Sequence, residues 1–195
     1  MIPAFRRGRF QSGAPRRTVG IQTRTGTISP TVIYGSVNPP VYSRIPRAAR
    51  TLLDVGCGDG TLGRKLHSEW GVQVTGITHS TAEAELARTR LVKVVVADLN
   101  DFDPVGLGQF DCIVCSHVLE HLHAPGELLR RMQGNFSSGG CLIVALPNLL
   151  HWRQRLALLR GRFRYTEGGL MDRTHLRFFD WETAAGLLRD TGYEL

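Results

Sequence analysis

The segment Leu52-Leu53-Asp54-Val55-Gly56-Cys57-Gly58-Asp59-Gly60 constrains this chain more than any other. An apolar strand-like run enters three glycines spaced by two, and Leu62, Leu66 and Trp70 then follow at helical intervals. Glycine lets a backbone turn tightly and approach a ligand closely, because no Cβ intervenes. A turn of this kind between a strand tip and a helix N-terminus is a seat for a nucleotide-type cofactor.

The rest of the chain repeats the alternation. Thr51–Val55, Val72–Thr78, Lys93–Asp98, Phe110–Ser116 and Cys141–Leu146 read as strands. Thr61–Trp70, Ser80–Arg90, Pro125–Phe136, His151–Arg160 and Asp180–Asp190 read as helices. Ser80-x-x-Glu83 has capping-box spacing, and Pro125 stands at a favoured first helical position. The continuous Val94-Val95-Val96 is the pattern of a strand covered on both faces. The pattern predicts an α/β fold, a Rossmann-like parallel sheet flanked by helices. In such sheets ligands sit beyond the carboxyl ends of the strands, at the topological switch point. Gly56–Gly60, Thr78–His79, Asp98–Leu99 and Ser116–His117 therefore gather into one crevice.

Charge divides the 195 residues unevenly. Residues 1–50 hold nine arginines and no acid, leaving 15 basic against 17 acidic side chains in the remainder. The front, residues 1–40, reads as a basic and flexible extension; alternatives are a nucleic-acid or membrane-surface anchor, or an organelle transit peptide. Residues 41–195 read as one domain. The first residues show no apolar leader-like run and no stretch nears bilayer-spanning length, so no secretory signal and a cytoplasmic protein are expected. Four cysteines at 57, 112, 115 and 141 fit reduced thiols. Cys112 and Cys115 are three apart on a strand, so their sulfurs diverge and offer no zinc or redox pair.

Gly58-Asp59-Gly60-Thr61-Leu62-Gly63 spells the dinucleotide fingerprint, but it starts too late after the strand, and no acid ends the second strand. Four stretches in order, Leu53–Gly60, Val74–Ser80, Val96–Phe102 and Phe110–Leu122, instead resemble the class I S-adenosylmethionine-dependent methyltransferases, in particular their small-molecule members. The resemblance implies that Asp54, Gly56, Cys57, Gly58 and Gly60 hold the methionyl amino-carboxylate end of S-adenosylmethionine. It places Asp98 at the adenine amino group, Leu99 beside the ring, and Ser116 and His117 near the transferring methyl. The family usually has an acid at the end of strand two, bridging the ribose hydroxyls. This chain has Thr78, followed by His79, as in cyclopropane-forming members that reach the ribose from the next helix. Glu83 could serve there, or could simply close the capping box on Ser80.

His117-Val118-Leu119-Glu120-His121 matches an inverted zinc-protease signature, but it starts directly off a cofactor strand. It also resembles the E-x-x-E-H of some hydroxyquinone O-methyltransferases that hold a divalent metal, with His117 in place of the first Glu. No metal is expected here; Glu120 and His121 shape the pocket. A base is needed when the acceptor carries a proton, and His121 and His175 are the catalytic candidates.

Between His151 and Arg177 lie seven arginines and two acids. The run Asp172–Phe179 resembles a bacterial methyltransferase subgroup associated with cell-surface polysaccharides and secondary metabolites. The arginines favour an anionic acceptor, such as a carboxylate or a phosphosugar, unless they face solvent. Asp172, Arg173 and His175 could equally clasp the preceding loop. The sequence ends where this fold would add a sixth and a seventh strand, so the sheet is expected to lack its C-terminal strands. The function expected is methyl transfer from S-adenosylmethionine to a small acceptor. Alternatives are an RNA- or protein-modifying methyltransferase docked through the basic extension, and a cofactor-binding subunit without turnover.

Overall fold

A computed structural model describes residues 35–195; the expectations for the basic extension fall almost wholly outside them. A short helix α1 (Pro39–Tyr42) leads into β1 (Thr51–Val55), α2 (Thr61–Trp70), β2 (Gln73–Thr78), α3 (Thr81–Ala87) and β3 (Lys93–Val96). Then come β4 (Phe110–Ser116), α4 (Pro125–Arg131), β5 (Phe136–Ala145), α5 (Trp152–Leu159) and α6 (Trp181–Asp190). The five strands are parallel in the order β3-β2-β1-β4-β5, and the order reverses between β1 and β4. The expected α/β architecture is therefore present.

Alternation along the strands sorts the core into two layers. Leu52, Val74, Cys112 and Val114 pack with Leu66 of α2 on one face. Leu53, Val55, Ile77, Ile113 and Cys115 pack with Leu128 and Leu129 of α4 on the other. Cys112 and Cys115 thus lie on opposite faces, as their spacing requires. Burying each such leucine or isoleucine contributes roughly 1.5–3 kcal/mol.

Two strands differ from their sequence patterns. The valine run of β3 belongs to an edge strand, and Val96 remains 38% exposed. Continuous apolar character there reflects β-propensity more than burial on both faces. β5 begins at Phe136, five residues before the apolar run that marks it in the sequence. Phe136 pairs with Phe110 across a register shift, and the intervening Ser137-Ser138-Gly139-Gly140 reads locally as a loop.

Asp111 ties three strands at their opposite ends. Its carboxylate accepts from the backbone N–H of Arg50 (2.8 Å) and Thr51 (3.0 Å) and from Ser137 Oγ (2.7 Å). These bonds hold its carboxyl down at about 2. Asp180 caps α6, accepting from Thr183 N while Thr183 Oγ1 accepts from Asp180 N. No helix among the described residues is long and apolar enough to cross a membrane.

Candidate functional site

The carboxyl ends of β1, β2 and β4 meet at the switch point. The loop after β1 turns by left-handed glycines, with φ of 78° at Gly56, 53° at Gly58 and 79° at Gly60. Gly56 N and Cys57 N both donate to Ile77 O, at 2.8 and 2.9 Å, which binds the loop to the neighbouring strand tip. A Cβ on Gly56 would enter the space of the Val118 side chain, and one on Gly60 would press on Leu91 and Ala87. The loop is therefore a cradle that only glycine backbone can form, directly ahead of α2.

Asp54 is 4% exposed, and burial alone pushes its carboxyl up to about 7. Burial likewise raises the Cys57 thiol, so it is not a nucleophile. At the tip of β2, Thr78 Oγ1 donates to Glu83 Oε2 at 2.6 Å and accepts from Ser80 N at 3.2 Å. Both side chains are buried, and Ser80 Oγ accepts from Glu83 N at 3.3 Å as the N-cap of α3. The cap is present, while the Glu83 carboxylate lies below the strand tip on Thr78 rather than in open solvent. His79 is exposed beside it.

Beyond β3, Asp98 is exposed and Leu99 buried. Asn100 N and Asn100 Nδ2 both donate to Asp98 Oδ1 at 2.9 Å, which holds the carboxyl below its usual range. The other carboxylate oxygen is not used by these bonds. At the tip of β4, His117 is the one non-glycine with positive φ (57°) among the described residues. Strain of this kind clusters at functional turns.

The residues after this turn form a second cluster. Glu120 is 1% exposed, and neither carboxylate oxygen has a hydrogen-bond partner. His117 Nδ1 lies 3.3 Å from Glu120 Oε1, close enough for charge but not aligned as a hydrogen bond. His121 and His175 stand edge to face, with ring centroids 4.8 Å apart. His121 Nδ1 donates to Thr174 O and His175 Nδ1 donates to Leu170 O, each at 3.1 Å. Those two acceptors assign the proton to Nδ1 and leave each Nε2 lone pair available in the neutral ring. Glu120, His121 and His175 bring one donor atom each within 4.8 Å of one another.

The segment 170–177 is held here by its backbone, since Leu176 N and Arg177 N donate to Glu120 O at 2.8 and 3.0 Å. Arg173 N donates to Thr166 O, and Arg173 Nε pairs with Glu167 at 3.2 Å. Asp172, Arg173 and His175 thus do clasp the preceding loop, and the clasp delivers His175 to His121.

Asn38 belongs to the site without a sequence signal. It sits just before α1, and its Nδ2 lies 3.4 Å from both Ser116 Oγ and His117 Nε2. Gly35 packs where a Cβ would meet the Asp59 carboxylate. The segment preceding β1 therefore lies over the glycine loop and the β4 turn.

Comparison with known proteins shows what this chain is similar to. The family model described as "Methyltransferase domain" matches residues 38–195. The ubiquinone biosynthesis O-methyltransferase of Caulobacter vibrioides is 32% identical over 112 residues, 54% of this chain and 44% of that protein. Its counterpart in Pseudomonas paraeruginosa is 32% identical over 114 residues, 55% of this chain and 49% of that protein. The chain spans about half the length of the curated relatives it matches. Among solved structures, a SAM-dependent methyltransferase of Thermotoga maritima, described as a possible histamine N-methyltransferase, superposes with a TM-score of 0.60 at 23% identity. That overlap covers 80% of this chain and 68% of the other. The cyclase SpnF superposes equally well, with a TM-score of 0.61, 23% identity, and coverage of 80% and 55%. At these identities the superpositions show the fold alone.

Proposed function

The chain belongs to the methyltransferase domain family, and from that premise we propose that it transfers a methyl group from S-adenosylmethionine to an oxygen or nitrogen of a small acceptor. The observation that carries the reading is the adjacency of two parts: a glycine cradle at the switch point, and a histidine–carboxylate cluster of Glu120 and His121, four and five residues past the end of β4, with His175.

The cradle fits the cofactor. Its left-handed glycines turn the chain tightly between β1 and α2, packed against Val118, Leu91 and Ala87, and Asp54 offers a buried carboxylate to an ammonium group. Cys57 and Gly58 lie in the same loop, ahead of the N-terminus of α2. Asp98 keeps a free carboxylate oxygen for an exocyclic amine, with apolar Leu99 beside it. Thr78, His79 and Glu83 line the ribose side, and Ser116 and His117 flank the reacting end. When bound, S-adenosylmethionine supplies an electrophilic sulfonium methyl. The protein then has to align the acceptor in line with that methyl and remove its proton. His121 Nε2 takes the proton, its ring held by Thr174 O. The buried Glu120 carboxylate, which accepts no hydrogen bond, offers compensating charge to the imidazolium, and His175 stands edge to face with the ring.

The relatives named ubiquinone biosynthesis O-methyltransferases support an oxygen acceptor. The arginines of the 151–177 segment are exposed, and Arg173 pairs with Glu167, which supports an anionic acceptor less than a surface role for most of them. Titration calorimetry with S-adenosylmethionine and S-adenosylhomocysteine tests the reading. Micromolar binding that Gly58→Val abolishes and Asp98→Ala weakens is expected. A folded protein that binds neither compound overturns it, and binding without turnover on any hydroxylated or amine acceptor leaves a silent subunit.

Glu120, His121 and His175 are also a donor set for a divalent cation. The buried carboxylate that accepts no hydrogen bond favours this second reading, and the Nδ1–carbonyl bonds are the usual way of orienting ligating imidazoles. Chelation separates the two: a metal-dependent site loses turnover with a chelator and regains it on re-addition, whereas a histidine base does not respond.

A further inference from the structure

A cleft of about 570 Å³ opens where the chain leaves α5, lined by Arg164, Tyr165 and Arg173. That volume is within the range of roughly 300–1,000 Å³ typical of small-molecule sites. The lining carries two guanidinium groups and a phenol, and no carboxylate. Arg164 makes no hydrogen bond or ion pair among the described residues. The Arg173 guanidinium is engaged at Nε, by Glu167 at 3.2 Å, and its two terminal nitrogens remain for a ligand. The walls are tied together by the chain's own bonds. Thr166 N donates to Met171 O at 2.8 Å and Arg173 N to Thr166 O at 3.2 Å, which joins the limb of Tyr165 to that of Arg173. Thr166 Oγ1 donates to Gly168 O at 2.7 Å within the turn, and Met171 anchors it in the core at 5% exposure. Asp172, the neighbouring acid, is held in its own turn, where Oδ1 accepts from Thr174 N and Oγ1. Phe163 stands edge to face with Tyr165 at 5.5 Å, so one wall has an aromatic body.

Charge and geometry select the occupant. Two cations lining one cleft repel each other unless an anion lies between them. Guanidinium forks suit oxyanions, and a phenol adds a further donor. Glu167 already gives Arg173 one negative charge, so an incoming carboxylate competes only as an equal. A phosphate monoester, with about two negative charges at neutral pH and three terminal oxygens, outcompetes it. We infer that Arg164, Tyr165 and Arg173 seat the phosphate of a phosphorylated acceptor. Arg173 precedes His175 by two residues, so their Cα atoms lie within about 7 Å of each other. The turn between them is closed by His175 N donating to Asp172 O at 3.1 Å. A phosphate held in the cleft directs the organic part of the ester toward the His121–His175 pair. This assignment rests on the methyl-transfer reading and narrows its small acceptor to a phosphate ester that also bears a hydroxyl or an amine.

Calorimetry and proton NMR on the full chain, without cofactor, test the site with 4-hydroxyphenyl phosphate, 4-hydroxybenzoate and inorganic phosphate. The phosphate ester should bind about tenfold or more tightly than the carboxylate, and salt should weaken it. Arg164→Ser and, separately, Arg173→Ser should each cost about tenfold or more in affinity for the ester, as for loss of a charge-assisted hydrogen-bonding group. Glu167→Gln should tighten binding, because it removes the competing charge, a gain that a purely structural clasp does not produce. All three positions are exposed, and the thermal transition verifies that each variant folds. The ester, but not inorganic phosphate, should shift the ring signals of His121 and His175, assigned by their Asn variants. The proposal is overturned if the ester is not bound, if the carboxylate binds equally well, or if neither arginine variant weakens binding. Ester binding that leaves both ring signals in place overturns it too, since the cleft is then an effector site and not part of the acceptor pocket. A chain that binds the ester as expected but neither S-adenosylmethionine nor S-adenosylhomocysteine removes the methyl-transfer reading alone, and the phosphate seat beside the histidines stands.

Discussion

Asp54 is a carboxylate buried next to the glycine cradle, with its pKa pushed up to about 7 from 3.8. The folded state therefore holds a proton that the unfolded state has lost between those values. Stability is fully present below the unfolded value and falls as pH rises from about 4 to about 7. Asp54→Asn should flatten that slope in the cofactor-free protein and stabilise it at pH 8 by up to a few kcal/mol; denaturant melts across pH measure both. An ammonium beside Asp54 favours the ionised form, so cofactor affinity should rise with pH through this range, with proton release that Asp54→Asn removes. At His121 the expectation is kinetic. His121→Asn should lower kcat by about 10²–10⁴-fold, as for loss of a general base, with cofactor affinity unchanged. A parallel loss of cofactor affinity would instead make the ring part of the binding pocket.

At the scale of elements, the loop between β1 and α2 does most to define the site. Gly56→Ala places a side chain at φ 78°, at about 1–2 kcal/mol, and drives a methyl into Val118. The loss of stability should exceed the conformational cost alone. Val118→Ala in the same chain should recover the steric part and leave the conformational part, so a double-mutant cycle separates them. The turn after β4 answers this loop from the other side, since Val118 follows the strained His117. The glycine spacing and the strand before it were legible in the sequence, because turn chemistry is local. The edge position of β3 and the early start of β5 were not, because each depends on which strand lies alongside.

For the whole molecule, Asp111 joins segments that are distant along the chain, linking the entry to β1, the body of β4 and the start of β5. Its carboxyl is depressed from 3.8 to about 2, so the stability it contributes is present above the unfolded value and lost as pH falls toward about 2. Asp111→Asn should lower stability at neutral pH and remove that part of the acid transition, seen as a shallower loss of helical signal below pH 4. The molecule is also divided by charge, with a basic front and a near-neutral remainder, and α5 adds a second basic surface at the opposite end of the sequence.

The sequence by itself determined the α/β alternation, the glycine cradle, the strand tips that meet at the switch point, and the candidate histidines. Each of these follows from periodicity, capping or turn chemistry within a few residues, which any segment carries with it. Only the tertiary structure decided that Asn38 reaches Ser116 and His117, that the clasp at 166–177 sets His175 beside His121, and that the buried Glu120 carboxylate has no hydrogen-bond partner. It alone decided that the apolar stripe of α5 is uncovered. Those contacts join residues as many as 79 positions apart. They exist because parallel crossovers bring remote loops to one edge of the sheet, and the local pattern of a segment does not encode its distance to another.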